Sequence, residues 1–210
     1  MDWNVFLNQF AERPLLHSSM MSVFPEPLSH KQVQLSRWTK LGKLLQLRRG
    51  WHIIQKPWRI KEVPAFVIAN QVVHPSYLSL DWALQYYEMI PEYVPNPTSV
   101  TTGRGVQFRV NGTLFIYYHV QPAFFKGYKQ EEISGYKMNM AYPEKALFDK
   151  IYLFIQRNKF SIEWLEGLRL QNLDAFDLER FQSFLVDRDK KNLRQAIRST
   201  CRYIESNKRS

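Results

Sequence analysis

The sequence has one cysteine and no long apolar run among its 210 residues. The single cysteine, Cys201, excludes an internal disulfide and cannot alone build a cysteine-based zinc site. A membrane-spanning helix needs roughly 20 consecutive apolar residues, and no segment approaches that length. Residues 1–4 carry no basic patch leading into an apolar stretch, so no secretion signal is expected. These absences predict a cytoplasmic protein with no membrane partner.

Acidic residues are scarce at both ends of the chain. The sequence has 29 Lys and Arg against 19 Asp and Glu, and the formal net charge is +10. Residues 1–60 hold nine basic and three acidic side chains, and residues 186–210 hold eight and three. A near-neutral middle with two basic ends indicates a polyanion such as nucleic acid as partner. A basic surface that only maintains solubility is the alternative.

The first 56 residues predict helices followed by a β-hairpin. Apolar spacing, prolines and a possible Ser29 N-cap favour helices over the segments 3–11, 15–23 and 29–41. Two short apolar strands, 44–47 and 51–54, then flank the turn Arg48-Arg49-Gly50. Three helices followed by a hairpin is the order of a winged helix-turn-helix. We therefore predict such a DNA-binding domain over residues 1–56.

The third predicted helix has an apolar and a polar face. A stripe of about 140° holds the side chains expected to be buried, Leu28, Leu35, Trp38 and Leu41. The opposite face holds side chains suited to the major groove of DNA, namely Ser29, Gln32, Val33, Ser36, Arg37 and Lys40, with Lys43 at its edge. Gln and Arg make bidentate contacts with adenine and guanine, and a valine can meet a thymine methyl. An ordinary solvated helix face is the alternative.

The tip of the hairpin strengthens the DNA interpretation. Arg48 and Arg49 make this tip doubly basic, beside a helix that is itself basic. A helix and a wing of this kind can straddle one groove and its adjacent phosphates. The expected partner is double-stranded operator DNA.

The chain beyond Lys56-Pro57 mixes helices and strands. Asn111-Gly112 between two alternating segments is the strongest hairpin signal, because this dipeptide suits a type I′ turn. We therefore predict an α+β protein with a winged helix-turn-helix, a mixed α/β domain over 57–160, and C-terminal helices over 161–210 packed on that domain. The last helix has a cationic face of Arg188, Lys191, Arg194, Arg198 and Arg202. This face is either merely solvated or an auxiliary contact to nucleic acid.

Several segments resemble the AbiEi family of antitoxin-regulators. The resemblance lies in Leu47-Arg48-Arg49-Gly50-Trp51, in Pro75-Ser76-Tyr77-Leu78-Ser79-Leu80, and in Ala141-Tyr142-Pro143-Glu144-Lys145-Ala146-Leu147-Phe148-Asp149. It covers roughly residues 27–155. The family's motif residues correspond to Ser76, Tyr77, Ser79, Glu144, Lys145 and Asp149.

The resemblance implies the antitoxin of a type IV toxin–antitoxin system. Its winged helix would repress the protein's own operon. Its second domain would oppose a nucleotidyltransferase-like toxin without forming a stable complex. A stand-alone winged-helix transcriptional regulator is the alternative.

An enzymatic function has less support in the sequence. Glu144 and Asp149 are separated by about 140° around a helix, so they do not converge on one metal ion as a nuclease requires. We interpret Glu144 as a complement to the helix dipole and Ser79 as an N-cap. The histidines show no metal-ligand spacing. We expect no enzyme, metal or cofactor, and a metal-dependent nuclease is the second alternative.

Overall fold

The structure, a computed structural model, describes residues 1–186 and 191–208. The chain divides into two compact units, which we call the N-terminal unit, Met1–Ile68, and the C-terminal unit, which begins at Ala69. Helices and strands occur in both units, so the predicted α+β class is confirmed. None of the described helices is both long enough and apolar enough to cross a membrane.

The N-terminal unit extends beyond the boundary predicted at residue 56. Trp58 packs against the hydrophobic core of this unit. The backbone amide of Ile60 donates to the carbonyl of Ala11 at 3.2 Å. Because these contacts hold the chain after Pro57 on the first core, the division between the units lies at Ile68.

Helices and strands alternate in the N-terminal unit. In chain order they are α1 (Trp3–Phe10), β1 (Leu15–His17), a 3-10 helix (Ser18–Val23), α2 (Leu28–Lys40), β2 (Leu44–Arg48) and β3 (Trp51–Ile54). The three strands form an antiparallel sheet in the order β1-β3-β2. Rings from α1 and α2 fill the core against this sheet, and the ring centres of Phe6 and Trp38 are 4.7 Å apart.

The helix predicted over residues 15–23 is wrong in its first third. Leu15 and Leu16 belong to β1, where they pair with Ile53 and His52 of β3. Both leucines are buried although successive strand residues point to opposite faces. A short apolar run does not distinguish a buried strand from a helix. The pairing with β3, which is distant in sequence, decides between the two.

Helix α2 differs from the prediction at its ends. It begins at Leu28 with Pro27 in the N-cap position, so Ser29 is not the cap. Leu28 and Leu41, which were predicted to be buried, are 67% and 59% exposed. The core is shorter than the helix, so only the middle of α2 is covered by it.

The C-terminal unit is built on a six-stranded mixed sheet. Its strands are β4 (Ser76–Leu78), β5 (Thr98–Thr101), β6 (Val106–Val110), β7 (Thr113–His119), β8 (Tyr128–Ile133) and β9 (Tyr136–Ala141). They are arranged β6-β7-β5-β4-β9-β8, with β4–β9 and β5–β7 parallel and the other neighbours antiparallel. Asn111 and Gly112 have φ angles of 46° and 86°, which confirms the predicted type I′ turn.

Helix α5 is central to the packing of the C-terminal unit. The remaining helices of the chain are α3 (Ala65–Gln71), α4 (Leu80–Tyr86), α5 (Pro143–Ile155), α6 (Ile162–Glu166), α7 (Leu178–Ser183) and α8 (Lys191–Asn207). Helix α5 packs against α4, α7 and α8. On α8, Leu193, Ile197 and Cys201 are buried, while Arg198 and Arg202 are exposed. Arg188, which was assigned to the cationic face, lies outside the described residues.

Gly127 allows close packing between the sheet and the C-terminal helices. Its φ angle is 75°, and a Cβ atom at this position would overlap the ring of Phe184 and lie 3.2 Å from Cδ of Lys145. Gly135, between β8 and β9, has a similar φ of 79°, but a Cβ there would have no neighbour within 4 Å. The two glycines share a backbone constraint, and Gly127 has a packing constraint in addition.

We expect Gly127→Ala to lower the free energy of unfolding by about 2–5 kcal/mol, and Gly135→Ala by only about 1–2 kcal/mol. Both substitutions place a Cβ atom in the left-handed region, and only the first also overpacks the core. Urea denaturation followed by circular dichroism measures the two losses. Equal losses would show that the contact between Gly127 and Phe184 is not tight.

Candidate nucleic-acid interface

The residues predicted to face the major groove lie together on the exposed side of α2. All of them are solvent-exposed, and the six together line one shallow depression: Ser29, Gln32, Val33, Ser36, Arg37 and Lys40. The exposed fraction of Val33 is 64%, which is high for an apolar side chain. The helix thus presents donors, acceptors and one small apolar group on a single accessible surface.

A groove of about 480 Å³ separates this helix from the β2–β3 hairpin. Gln32, Ser36 and Lys40 of α2 line one side, and Gln46 and Arg49 of the hairpin line the other. We call this space the α2–hairpin groove. The structure therefore brings the helix face and Arg49 of the hairpin to one place.

Lys43 and Arg48 lie apart from the other predicted residues. Nζ of Lys43 lies 4.8 Å from the ring centre of Trp3 and 5.8 Å from that of Trp58. This cation–π arrangement holds Lys43 at the edge of the aromatic core. Arg48 is half-buried, pairs in register with Trp51, and lies outside the α2–hairpin groove.

The floor of the groove contains two residues that the sequence analysis missed. Lys31 is 8% exposed and His52 is 7% exposed, and both line the groove. Lys31 precedes Leu35 by one helical turn, so it occupies the apolar side of α2. His52 lies in register with Leu16 and Gln46, on the side of the sheet that faces α2. A basic residue inside an apolar stripe is the signal that could have identified Lys31.

His52 is buried without full compensation. Its Nδ1 atom has no hydrogen-bond partner among the described residues. Burial lowers the pKa of His52 below the ordinary value of 6.5, and the charge of His17 lowers it further, while the Gly50 carbonyl opposes the shift. The imidazole is therefore mostly neutral at pH 7 in the free protein.

The acidic side chains of the N-terminal unit pair with groups outside the predicted DNA-facing surface of α2. Glu26 pairs with the amino group of Met1 at 2.6 Å, and Glu62 pairs with Lys56 and Arg59 at 2.6 and 2.5 Å. Glu12 lies 3.6 Å from Lys61, and the carboxylate of Asp2 accepts from the amide of Asn4. Within residues 1–68, which are all described, no salt bridge involves the cationic groups that border the groove or the helix face, Lys31, Arg37, Lys40 and Arg49. No salt bridge therefore neutralises this surface, and Glu26, which is paired with Met1, attracts only Lys31 electrostatically among these four cations.

Four of the motif residues meet in a buried cluster in the C-terminal unit. The hydroxyls of Tyr77 and Ser79 donate to Oδ2 of Asp149 at 3.0 and 2.7 Å. The ammonium group of Lys145 pairs with Oδ1 of the same carboxylate. None of the four side chains is accessible to solvent. The cluster ties the segment at the end of β4 to α5.

Ser79 has a different role from the predicted N-cap. It occupies the N-cap position of α4, but its side chain makes no capping hydrogen bond. Its hydroxyl is used by Asp149, while its backbone amide and carbonyl bond to Thr98 of β5. These bonds hold the turn into α4, where Leu80 adopts a left-handed φ of 59° that is unusual for a leucine.

Burial acts on both members of the ion pair. It lowers the pKa of Lys145 and raises the pKa of Asp149, while their mutual attraction opposes both shifts. Burial and the neighbouring carboxylate also raise the pKa of Tyr77, so its hydroxyl remains a donor. With donors from three side chains, the carboxylate of Asp149 is satisfied in its charged form. The arrangement suits a structural ion pair enclosed by protein.

Ser76 and Glu144 are also buried, with separate partners. Ser76 donates to the carbonyl of Val73 at 2.6 Å. Glu144 lies in the first turn of α5 as predicted, and it accepts from the backbone amide of Asp177 at 3.0 Å. Glu144 and Asp149 thus engage different parts of the unit. Across residues 1–186 and 191–208, no three His, Cys, Asp or Glu side chains are grouped so that they could hold a metal ion.

Comparison of the chain with protein-family models and with curated proteins finds no match. The functional interpretation therefore depends on the geometry of the α2 surface and on the resemblance of the motif segments.

We expect Lys145→Met and Asp149→Asn each to lower the free energy of unfolding by about 3–5 kcal/mol, because each leaves the other charge buried without its partner. The double variant should lose clearly less than the sum of the two single losses. Urea denaturation of the four proteins in this cycle measures the coupling. Strictly additive losses would mean that the two side chains do not form an ion pair.

Proposed function

We propose that the N-terminal unit is a winged helix-turn-helix that binds double-stranded operator DNA. The 3-10 helix Ser18–Val23, the connection over residues 24–27 and α2 would form the helix-turn-helix, and the β2–β3 hairpin would be the wing. The sheet order β1-β3-β2 supports this interpretation. The observation that carries the proposal is the exposed polar face of α2 with Arg49 of the hairpin beside it. Within residues 1–68, which are all described, no salt bridge pairs Arg37, Lys40 or Arg49 with an acidic side chain.

Helix α2 has suitable dimensions for the major groove. Its 13 residues give a length of about 20 Å. A helix with its side chains is about 10–12 Å across, and the major groove of DNA is about 12 Å wide, so the helix can lie in it. We assign Gln32 and Arg37 to base edges, because both can make bidentate contacts. Lys40 and Arg49 would contact phosphates on either side, which fixes the orientation without reading sequence.

The second half of the proposal rests on the resemblance to the AbiEi family. We propose that the C-terminal unit acts as the antitoxin against a nucleotidyltransferase-like toxin, in the cytoplasm and without a stable complex. The motif residues are buried, so their contribution would be to hold the fold rather than to touch a partner. The proposed activities are binding and regulation, without catalysis, metal or cofactor. A stand-alone regulator is the competing interpretation, and the cellular experiment below separates the two.

We expect the helix face and the wing to respond differently to substitution. Gln32→Ala and Arg37→Ala should each weaken operator binding by about 1–3 kcal/mol and leave binding to unrelated duplexes nearly unchanged. Arg49→Ala should weaken all duplexes together and reduce the slope of log affinity against log salt by about one. Fluorescence anisotropy at several salt concentrations measures both effects.

Lys61→Met is a matched control for the cationic residues, since Lys61 pairs with Glu12 and lies outside the α2 surface. Its affinity and salt slope should equal those of the wild type. If Gln32→Ala and Arg37→Ala weakened every duplex equally, α2 would not be reading bases.

We expect repression and toxin opposition to separate in cells. The full-length variant with Gln32→Ala and Arg37→Ala should lose repression of a reporter driven by the protein's own promoter. It should still protect cells that express the neighbouring toxin gene from a separate promoter, because both substitutions lie in the N-terminal unit. Asp149→Asn, which destabilises the C-terminal unit, should lose protection. If the wild type itself gave no protection against the toxin expressed from the separate promoter, a protein that acts only by repressing transcription would be favoured, and loss of protection in the α2 variant alone would contradict the division of the two activities between the units.

A further inference from the structure

The floor of the α2–hairpin groove holds two polar side chains that the fold leaves incompletely paired. Lys31 and His52 are each more than nine-tenths buried, and both line the groove. The side chain of Lys31 forms no salt bridge or hydrogen bond within the described part of the chain, and Nδ1 of His52 has no hydrogen-bond partner there. Leaving a buried polar atom such as Nδ1 of His52 unpaired destabilises a protein. An unpaired buried atom in a residue that lines an open groove calls for an explanation, and a bound ion is one.

The groups that face His52 are predominantly cationic. Helix α2 contributes the cations Lys31 and Lys40, and the hairpin contributes Arg49. Strand β1 contributes His17, which acts electrostatically to lower the pKa of His52. The 3-10 helix over 18–23 has no titratable side chain. Glu26 attracts Lys31 electrostatically, but its carboxylate is paired with the amino group of Met1. The expected ligand of this groove is therefore an anion.

The hydrogen-bond donors of the groove suit a phosphate group. Its oxygens accept hydrogen bonds from several directions, and Lys31, His52 and the rim residues Gln46 and Ser36 all offer donors. The groove volume of about 480 Å³ admits a phosphate together with part of a sugar. Gly50, which also lines the groove, lets His17 approach closely, because a Cβ atom there would lie 2.8 Å from Nε2 of His17.

We propose that the α2–hairpin groove is a phosphate subsite in which Lys31 and His52 bind one phosphate of the DNA backbone, and that His52 takes up a proton on binding. This inference rests on the proposed DNA-binding function and assigns two residues to the interface. The phosphate offers acceptors only, so Nδ1 must carry a hydrogen to bind it. The His52 ring also donates a hydrogen bond to the Gly50 carbonyl, so it would then carry a hydrogen on each of its two nitrogens. An imidazole with both nitrogens protonated is positively charged.

The proton uptake gives a defined dependence on pH. In the free protein the pKa of His52 lies below 6.5 because of burial, so the ring is mostly neutral above that pH. A bound phosphate stabilises the charged ring and raises its pKa. DNA affinity should therefore increase as the pH falls from 8 to 6. The stability of the free protein should change in the opposite direction, since protonation of His52 favours the unfolded chain.

The test uses the full-length protein, a mixed-sequence 20-base-pair duplex and, separately, inorganic phosphate. At constant ionic strength the wild type should bind the duplex about tenfold more tightly at pH 6 than at pH 8, while His52→Gln should show little change. Lys31→Met should bind about tenfold more weakly with a salt slope reduced by about one. His30→Gln and Lys61→Met should behave as the wild type, because neither residue lines the groove.

Nuclear magnetic resonance of the histidine rings in the wild type provides a second readout that does not depend on the folding of any variant. The His52 ring should titrate at a higher pH with the duplex than without it.

If the duplex binds but the His52 titration is unmoved and His52→Gln keeps the pH dependence, the inference is overturned and DNA binding stands. If the duplex does not bind, the proposed function fails. A His52 shift caused by inorganic phosphate would then retain the subsite for a free phosphate ligand, and the absence of a shift would reject it.

Discussion

The carboxylate of Asp149 has no access to water, so the protein must supply every hydrogen bond that it needs. Tyr77 and Ser79 at β4 provide two, and Lys145, one turn earlier on α5, provides the opposite charge. These bonds restrict the position and rotation of α5 relative to the sheet. Because α4, α7 and α8 pack on α5, the geometry around one buried charge constrains most of the C-terminal unit.

In the N-terminal unit, in contrast, two buried polar side chains are not fully paired by the protein. Lys31 and His52 are almost as deeply buried as the Asp149 cluster, but they line an open groove, and Nδ1 of His52 has no hydrogen-bond partner within the described residues. A satisfied buried charge stabilises one arrangement of the chain, whereas an unsatisfied one creates a place where a ligand is favoured. The same physical rule thus separates the structural cluster from the candidate interface.

The buried position of the motif residues bears on the resemblance to the AbiEi family. The cluster residues Tyr77, Ser79, Lys145 and Asp149 are constrained together, because changing one leaves another buried group without its partner. Ser76 and Glu144 are buried with partners of their own. Buried residues of this kind can make a family recognisable from its sequence, but they indicate a shared fold and do not indicate a binding surface. A surface that opposes a toxin would have to be formed by other residues, and the motif does not identify them.

The sequence by itself determined the elements whose signals are local. The exposed polar face of α2, the hairpin with Arg49 at its tip and the Asn111-Gly112 turn could all be predicted, because helical spacing and turn chemistry involve neighbouring residues. Only the tertiary structure decided that residues 15–17 form a strand, that Ser79 bonds to Asp149, and that Lys31 and His52 share one groove. Each of these features joins residues that are distant in the chain. Local propensity carries no information about such contacts, since burial and pairing depend on which surfaces the fold brings together.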